Sequence, residues 1–393
     1  MHMAHHGQAT GTADPDHPNL PRQSSADRAT GIAGRVCRGP STCGIARKDF
    51  ARTELPSRIS GYPVRVQTRP VPGTDLQLSV LALGGWLTIG GAVADAESMR
   101  MLRSAVDGGI NFVDLADIYA DGAAERVVGR FLREHGDDRL VVSSKVFWPT
   151  STDPADRGLS RRHIHASIDR SLQHLGRTHL DLYFCHREDP TVPLAETVQA
   201  MGDLVAAGKV RAWGTSCWRP ATLQRAHRLA AELGVAPPRI EQPQYSLLRR
   251  TPELEVIPCC RQLGMAVVAF SPLAGGVLTG KYVDGVPAGS RGAVSRWLDE
   301  YRDADSERAL RSFVALCREH ALAPAVVALA WVMQQPGLTA AIQGASSEAQ
   351  LRSNLAAATL VLPPALQQAL GSLFPCRRSP WWRRALRKVL GRR

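Results

Sequence analysis

Between about residues 62 and 372, short runs of β-forming residues alternate with amphipathic helical stretches, and this alternation restricts the possible folds most strongly. Alternating strands and helices are typical of α/β proteins, in which helices cover a parallel sheet. Eight strands are predicted, at 78–86, 110–119, 140–148, 180–186, 210–218, 239–248, 266–276 and 340–346. Eight strand–helix units over about 310 residues match the count and size of a (β/α)₈ TIM barrel.

A doubly wound sheet is the structural alternative. Such sheets usually have fewer strands and a GxGxxG turn directly after the first one. The segment LGGWLTIGG, at the end of the first predicted strand, lacks that spacing. The prediction is therefore a TIM barrel that spans residues 61–372.

The two ends of the chain differ from the barrel in composition. Residues 1–60 are rich in small and polar residues without an apolar period, which predicts a disordered extension. The net charge is +12, and residues 373–393 contribute eight basic and no acidic residues to it. Residues 1–60 contribute eight basic and five acidic residues, which leaves +1 for 61–372. The central domain therefore gives no indication of a nucleic-acid partner.

The basic tail has apolar residues interleaved with its charges. In 379–393 these include Trp381, Trp382, Leu386 and Leu390, a pattern that an amphipathic helix on anionic lipid would show. A solvated tail, or a helix packed on the barrel, is the alternative. The chain has neither an apolar run of ~18 residues nor a secretory signal, so the predicted location is the cytoplasm.

The eight cysteines show no CxxC or other repeated metal spacing. This pattern gives no support for a zinc site or for thioredoxin-type chemistry. The cysteines are predicted to be reduced, mostly structural thiols, and no metal site is predicted.

Polar and titratable residues gather where the predicted strands end. Catalytic residues of TIM barrels lie at the C-terminal ends of the strands, so this clustering predicts an enzyme. The residues at these ends are Trp86, Asp114, Tyr119, Lys145, His186, Ser216, Gln242, Ser271 and Ser346.

A tyrosine beside a lysine and a carboxylate has a clear use in carbonyl chemistry. A phenol with a pKa near 10 is a poor acid at neutral pH, and a nearby ammonium lowers that pKa. Tyr119 could then protonate a carbonyl oxygen, with Lys145 supplying the positive charge and His186 orienting the substrate. Either Asp114 or Asp117 could pair with the lysine, and the spacing does not choose between them.

Two further segments indicate a phosphate-containing ligand. In 343–355 a Gly-Ala-Ser turn opens a helix, with Ser346 as a possible N-cap and with Gln350 and Asn354 at four-residue spacing. The loop 270–282 contains Pro and Gly, which let backbone approach a pyrophosphate, and Lys281 and Arg291 could pair with its charge.

Taken together, these segments resemble the aldo-keto reductase superfamily, in the branch of the potassium channel β subunits and related bacterial reductases. The resemblance runs from about residue 78 to 365, through GINFVDLADIYADGAAERVVGR, SSKVFW, DLYFCHREDP, FSPLAGGVLTGKY and QGASSEAQLRSNL. It implies NADP(H) bound in extended form and reduction of a small carbonyl substrate by hydride transfer. The family's tetrad corresponds to Asp114, Tyr119 as general acid, Lys145 and His186, which favours Asp114 over Asp117.

The same resemblance implies which residues hold the cofactor. The nicotinamide ring would lie near Gln242, with Phe270 stacking on it, and the 2′-phosphate near Lys281 and the Ser346 turn. The cofactor positions are Gly85, Trp86, Ser216, Gln242, Phe270, Ser271, Leu273, Lys281, Arg291, Gly344, Ser346, Gln350 and Asn354.

The chain departs from the channel β subunits at several of these positions. It has His186 where they carry Asn, which favours a working reductase over a non-catalytic, nucleotide-binding regulatory subunit. Four other residues at the cofactor contacts also differ from those of the channel β subunits, namely Ala92, Cys217, Gly289 and Ser353. Because these differences leave fewer contacts to the cofactor, they predict faster cofactor exchange. A homo-oligomer is also consistent with the resemblance.

Overall fold

The computed structural model describes residues 66–376 apart from 137, 138, 295 and 302. Within these residues, eight strands form a closed parallel barrel, and an antiparallel hairpin precedes it. The predicted TIM barrel is therefore confirmed. The extension predicted at 1–60 and the membrane-binding segment predicted at 379–393 lie outside the described residues.

The strands pair in chain order, and the last one pairs with the first to close the ring. The hairpin consists of β1 (Thr68–Pro70) and β2 (Gln77–Ser79). The barrel strands are β3 (Leu81–Gly84), β4 (Phe112–Asp114), β5 (Val141–Val146), β6 (Leu180–Cys185), β7 (Val210–Ser216), β8 (Ile240–Gln242), β9 (Ala266–Ala269) and β10 (Ala340–Gln343).

Helices follow the barrel strands, and most of them cover the outer face of the barrel. They are α1 (Asp95–Asp107), α2 (Ala123–His135), α3 (Arg161–Leu175), α4 (Leu194–Ala206), α5 (Pro220–Leu233), α6 (Val256–Gln262), α7 (Arg291–Val294), α8 (Ala304–Glu319), α9 (Pro324–Met333), α10 (Glu348–Leu355) and α11 (Pro364–Leu373). None of the described helices is, by itself, long and apolar enough to cross a membrane. Helices α8 and α9 are long and apolar enough only when they are taken together, and the chain bends by 99° between them.

All eight predicted strands run past the C-terminal end of the observed strand, and the reason is clear for two of them. The strand predicted at 78–86 divides in two, because Ser79 pairs with Thr68 in the hairpin whereas Leu81 pairs with Ala341 in the barrel. The strand predicted at 266–276 ends at Ala269, since the backbone turns into left-handed conformations shortly afterwards.

The barrel interior is filled by alternate residues of each strand, as the two-residue period of a β-strand requires. Apolar side chains from all eight strands, such as Phe112, Val141 and Leu182, form one buried inner cluster. Val71 and Leu76 lie on the turn that joins the two hairpin strands. They belong to the same cluster and close the N-terminal end of the barrel. The other end, called the top here, is where the strands finish.

The same alternation places the polar side chains. Asp114 lies two residues after the inward-facing Phe112, and Lys145 lies four after Val141. His186 likewise lies two residues after the inward-facing Phe184. The sequence period that builds the apolar core therefore also points the polar side chains into the barrel at its top.

Candidate active site

A buried ammonium lies at the centre of the candidate site. The Lys145 Nζ atom lies 2.7 Å from Oδ2 of Asp114, 2.6 Å from the carbonyl oxygen of Leu115 and 3.2 Å from the hydroxyl of Tyr119. All of these groups are buried, and the Lys145 side chain is fully inaccessible to solvent. A lysine is rarely buried unless its charge is paired, as it is here by Asp114.

Neighbouring strands and one turn bring these groups together. Asp114 ends β4, and its backbone is in register with Ser143 on β5, two residues before Lys145. Tyr119 lies on the turn that follows β4, where its N–H donates to the carbonyl of Ala116 at 3.0 Å. The turn therefore returns the Tyr119 ring over the end of the neighbouring strand.

His186 directly follows β6 and completes the group. Its N–H donates to the carbonyl oxygen of Val146 at 3.0 Å, and its ring lies edge-on to Tyr119 with centroids 6.0 Å apart. Burial, then the charges of Lys145 and Arg187, hold the pKa of His186 well below its usual range. The imidazole is therefore neutral near pH 7 and can donate one N–H to a bound oxygen.

Burial decides the protonation state of Tyr119. It raises the pKa of the phenol, and the charge on Lys145 opposes this rise without reversing it. The expectation of a lowered pKa is therefore wrong for the net shift, although Lys145 acts in the predicted direction. For Lys145 itself, burial disfavours the charge, but Asp114 and Tyr119 more than offset it and raise the pKa.

Two further side chains fix Asp114. Ser143 donates from Oγ to Oδ1 of Asp114 at 2.9 Å, and Gln242 donates from Nε2 to the same oxygen at 3.0 Å. Sequence reasoning missed Ser143, although its position two residues before Lys145 places both on the inner face of β5. Through Gln242, the predicted cofactor residue and the predicted acid–base residues share one hydrogen-bond network.

Asp117, the alternative carboxylate, lies elsewhere. It accepts a hydrogen bond of 2.6 Å from Oγ of Ser167 on α3, so it faces the helices outside the barrel. Burial is the main reason that its pKa is raised to about 7. The structure thus pairs Asp114, and not Asp117, with Lys145.

The raised pKa of Asp117 predicts a pH-dependent stability. Because the folded state favours the protonated carboxyl, this contribution is fully present below pH 3.8 and is lost as pH rises through about 7. Asp117→Asn keeps a neutral side chain of the same shape at every pH. We expect the free energy of unfolding of this variant, relative to wild type, to increase by about 2 kcal/mol between roughly pH 5.5 and 8.5 in urea denaturation. Asp107→Asn, at an exposed position, is the control, and a pH-independent difference for Asp117→Asn would contradict the prediction.

The predicted cofactor residues near β3 and β7 adjoin the buried group. The Gly85 N–H donates to the carbonyl oxygen of Asp114 at 2.9 Å, and Ser216 donates from Oγ to the carbonyl of Gln242 at 2.9 Å. The guanidinium carbon of Arg291 lies 5.3 Å from the centroid of the Trp86 ring. Helix α7 therefore reaches across the top of the barrel to the loop after β3.

The loop after β9 holds the next group of predicted cofactor residues. Phe270 packs partly buried against the inner cluster, and Ser271 has a left-handed φ of 51°. Leu273 is half-buried and accepts from the N–H of Gly276 at 2.9 Å. Lys281 is exposed, with its ammonium 5.1 Å from the ring centroid of Tyr282. Phe270 thus borders the apolar interior of the barrel, whereas Lys281 lies exposed at the rim.

The predicted residues after β10 separate into two environments. Ser347, and not Ser346, caps α10, because its side chain accepts from the N–H of Gln350. Ser346 instead donates from its N–H and hydroxyl to the side chain of Gln350, and both residues are exposed. Asn354 points inward and donates from Nδ2 to Oε1 of Gln343 at 2.8 Å. Gly344, also exposed, connects the strand to this turn. Although the three residues are spaced four apart, Ser346 and Gln350 therefore face solvent and Asn354 faces the barrel strand.

Unusual backbone conformations concentrate at the top of the barrel. Among the described residues, seven non-glycine residues have positive φ, and six of them lie in loops that follow barrel strands. These six are Leu87, Ala120, Asp121, Cys217, Ser271 and Ala274. Such conformations cost on the order of 1–3 kcal/mol each and cluster at functional sites. This clustering agrees with a site at the top.

Comparison with known proteins is consistent with this arrangement. Residues 80–371 match the aldo/keto reductase family. A protein of rice (Oryza sativa subsp. japonica) named "Probable voltage-gated potassium channel subunit beta" is 35% identical over 303 residues, which are 75% of this chain and 92% of the rice protein. An Arabidopsis thaliana protein of the same name is 34% identical over 303 residues, again 75% of this chain and 92% of that protein. The similarity therefore covers the barrel.

Proposed function

Because the chain belongs to the aldo/keto reductase family, as its motifs predicted, we propose that it is an NADP(H)-dependent oxidoreductase that reduces small aldehydes or ketones. Tyr119 is the general acid in this proposal. The observation that carries it is the 3.2 Å contact between Lys145 Nζ and the Tyr119 hydroxyl, inside a buried group at the top of a TIM barrel. A phenol in that position has a cation beside it and lies at the end of the barrel where the strands finish.

The side chains at the top suit a dinucleotide. Lys281 and Arg291 offer positive charges for phosphate, and the left-handed turn at Ser271 presents backbone N–H groups. The Nε2 atom of Gln343 is buried and has no hydrogen-bond partner among the described residues, so it remains available to a ligand. When bound, the reduced nicotinamide supplies the hydride that a carbonyl carbon accepts.

The chain's own residues supply the proton. Tyr119 donates its hydroxyl proton to the carbonyl oxygen, and the resulting phenolate faces the Lys145 ammonium. Asp114 keeps that ammonium charged and in place. His186, neutral because of its burial, donates an N–H to the same carbonyl oxygen and so orients it. A water molecule returns the proton to Tyr119 before the next turnover.

A second candidate function is a nucleotide-binding regulatory subunit. The names of the plant relatives favour it, since both describe a channel subunit and align over 92% of their own length. His186 favours the reductase, because its neutral ring, edge-on to Tyr119, is suited to bind a carbonyl oxygen. The two functions share a nucleotide site and differ in turnover.

The proposed function is tested by NADPH oxidation, followed at its absorbance, with a panel of neutral and carboxylated aldehydes and ketones. We expect oxidation that depends on the carbonyl compound, with kcat/KM at least about 10-fold higher for NADPH than for NADH because of the cations at the rim. Quenching of tryptophan fluorescence measures NADPH binding in parallel. Binding without oxidation by any carbonyl compound would favour the regulatory subunit, and the absence of binding would contradict both functions.

A further inference from the structure

Arg187 lies at the mouth of the candidate site, directly after His186. Its side chain is half-buried, and its Nη1 atom donates to the carbonyl oxygen of His186 at 2.6 Å. The guanidinium carbon lies 5.7 Å from the ring centroid of Trp148. Trp148 in turn lies edge-on to His186, with ring centroids 6.2 Å apart. The guanidinium is thus held in a fixed place beside the residue that orients the carbonyl oxygen.

Across the described part of the chain, the charge of Arg187 has no acidic partner, because no Asp or Glu carboxylate oxygen there lies within 4.0 Å of its guanidinium. The next residue, Glu188, forms its ion pair with Arg219 instead, at 2.7 Å. The other cation of the site, Lys145, is already paired with Asp114. Arg187 therefore keeps most of its N–H donors for an anion from outside the chain.

The charge also reaches the reacting groups. Burial and then Lys145 lower the pKa of His186, and Arg187 adds to this effect. Arg187 likewise opposes the rise that burial causes in the pKa of Tyr119. The geometry agrees with this, because Arg187 and His186 both lie against the Trp148 ring, which places the guanidinium beside a small molecule that His186 would bind.

We propose that Arg187 is a specificity-determining residue that binds a carboxylate on the substrate, so that the preferred substrates are aldehydes or ketones that also carry a carboxylate. This inference rests on the proposed reductase function and narrows its substrate class. The planar guanidinium forms two parallel hydrogen bonds with a carboxylate, which fixes the orientation of the bound molecule. The half-buried position, against Trp148, strengthens that contact relative to one in water.

A matched pair of substrates tests the inference. 4-Formylbenzoate and its methyl ester differ in charge but present the same aldehyde. For the full-length wild type we expect kcat/KM to be at least about 10-fold higher for the carboxylate. Arg187→Met should lower kcat/KM for the carboxylate by about 10- to 100-fold and for the ester by less than about 3-fold. Arg187→Lys keeps the charge and should recover part of the loss.

Control measurements distinguish binding of the substrate carboxylate by Arg187 from a structural or cofactor-binding role of this residue. Arg219→Met removes an exposed arginine that is paired with Glu188, and it should leave both substrates unchanged. NADPH binding by fluorescence quenching should be the same in wild type and in Arg187→Met, and a large loss would assign Arg187 to the cofactor and overturn the inference. Equal losses for the carboxylate and the ester, or no preference in wild type, would overturn it while leaving the reductase function intact. A wild type that reduces neither compound, nor any other carbonyl compound, would overturn both.

Discussion

Tyr119→Phe is expected to lower kcat for carbonyl reduction by about 10³-fold, within the range of 10² to 10⁴ typical of a lost general acid. The substitution removes only the hydroxyl that would donate the proton. The aromatic ring remains, and so does its edge-on contact with His186. Lys145 keeps its contacts with Asp114 and Leu115, so its charge stays paired. KM and NADPH affinity should therefore change by less than about 3-fold, since ground-state binding is retained.

Tyr183→Phe is the matched control. Tyr183 is also fully buried, on strand β6, but it faces the helices outside the barrel. Its hydroxyl has no hydrogen-bond partner within the described residues, so its loss should leave kcat unchanged. A Tyr119→Phe enzyme that keeps more than about a tenth of the wild-type kcat would show that another group supplies the proton.

Lys145→Met is expected to affect both turnover and stability. Without the ammonium, Tyr119 loses the charge that stabilises its phenolate, and kcat should fall by at least about 10²-fold. Asp114 is left as a buried carboxylate without a cation, which typically costs about 3–5 kcal/mol of unfolding free energy. Because the pKa of Lys145 is raised, the contribution of its ammonium to stability is lost as pH rises from 10.5 through the folded-state pKa.

A double-mutant cycle separates the two effects. Asp114→Asn combined with Lys145→Met removes both charges, so its loss of stability should be smaller than the sum of the single losses, by about 2 kcal/mol or more. Turnover should stay low, since the phenolate still lacks a cation. Urea denaturation and kcat are measured on all four proteins. Additive losses of stability would show that the 2.7 Å contact between Asp114 and Lys145 contributes no coupling.

The barrel and its polar end were predictable because both follow from the period of the strands. A residue two or four positions after an inward-facing apolar residue also faces inward, as Lys145 does after Val141. The strand limits were harder to predict. The break between Ser79 and Leu81 arises because the two residues pair with different strands, one in the local hairpin and one at the far end of the chain, and β propensity at 78–86 carries no information about these partners.

The environment of each site residue was the least predictable property. The spacing could not choose between Asp114 and Asp117, because one faces the barrel interior and the other the helices. The net pKa shift of Tyr119 depends on how far burial outweighs the nearby charge, which only the folded structure determines. Arg187 follows His186 directly, but its lack of an acidic partner among the residues that the structure describes is visible only once Glu188 is seen to pair with another arginine.

The ring is closed by β3 and β10, its first and last strands, so it cannot form until nearly all of the described chain has left the ribosome. Before that point, β3 and β9 each leave a row of unpaired backbone N–H and C=O groups that another chain could pair with. Asp114, Lys145 and His186, by contrast, lie on or directly after three strands that are neighbours in sequence and emerge early. A nascent chain stalled before β10 would therefore carry these three residues on a sheet prone to self-association.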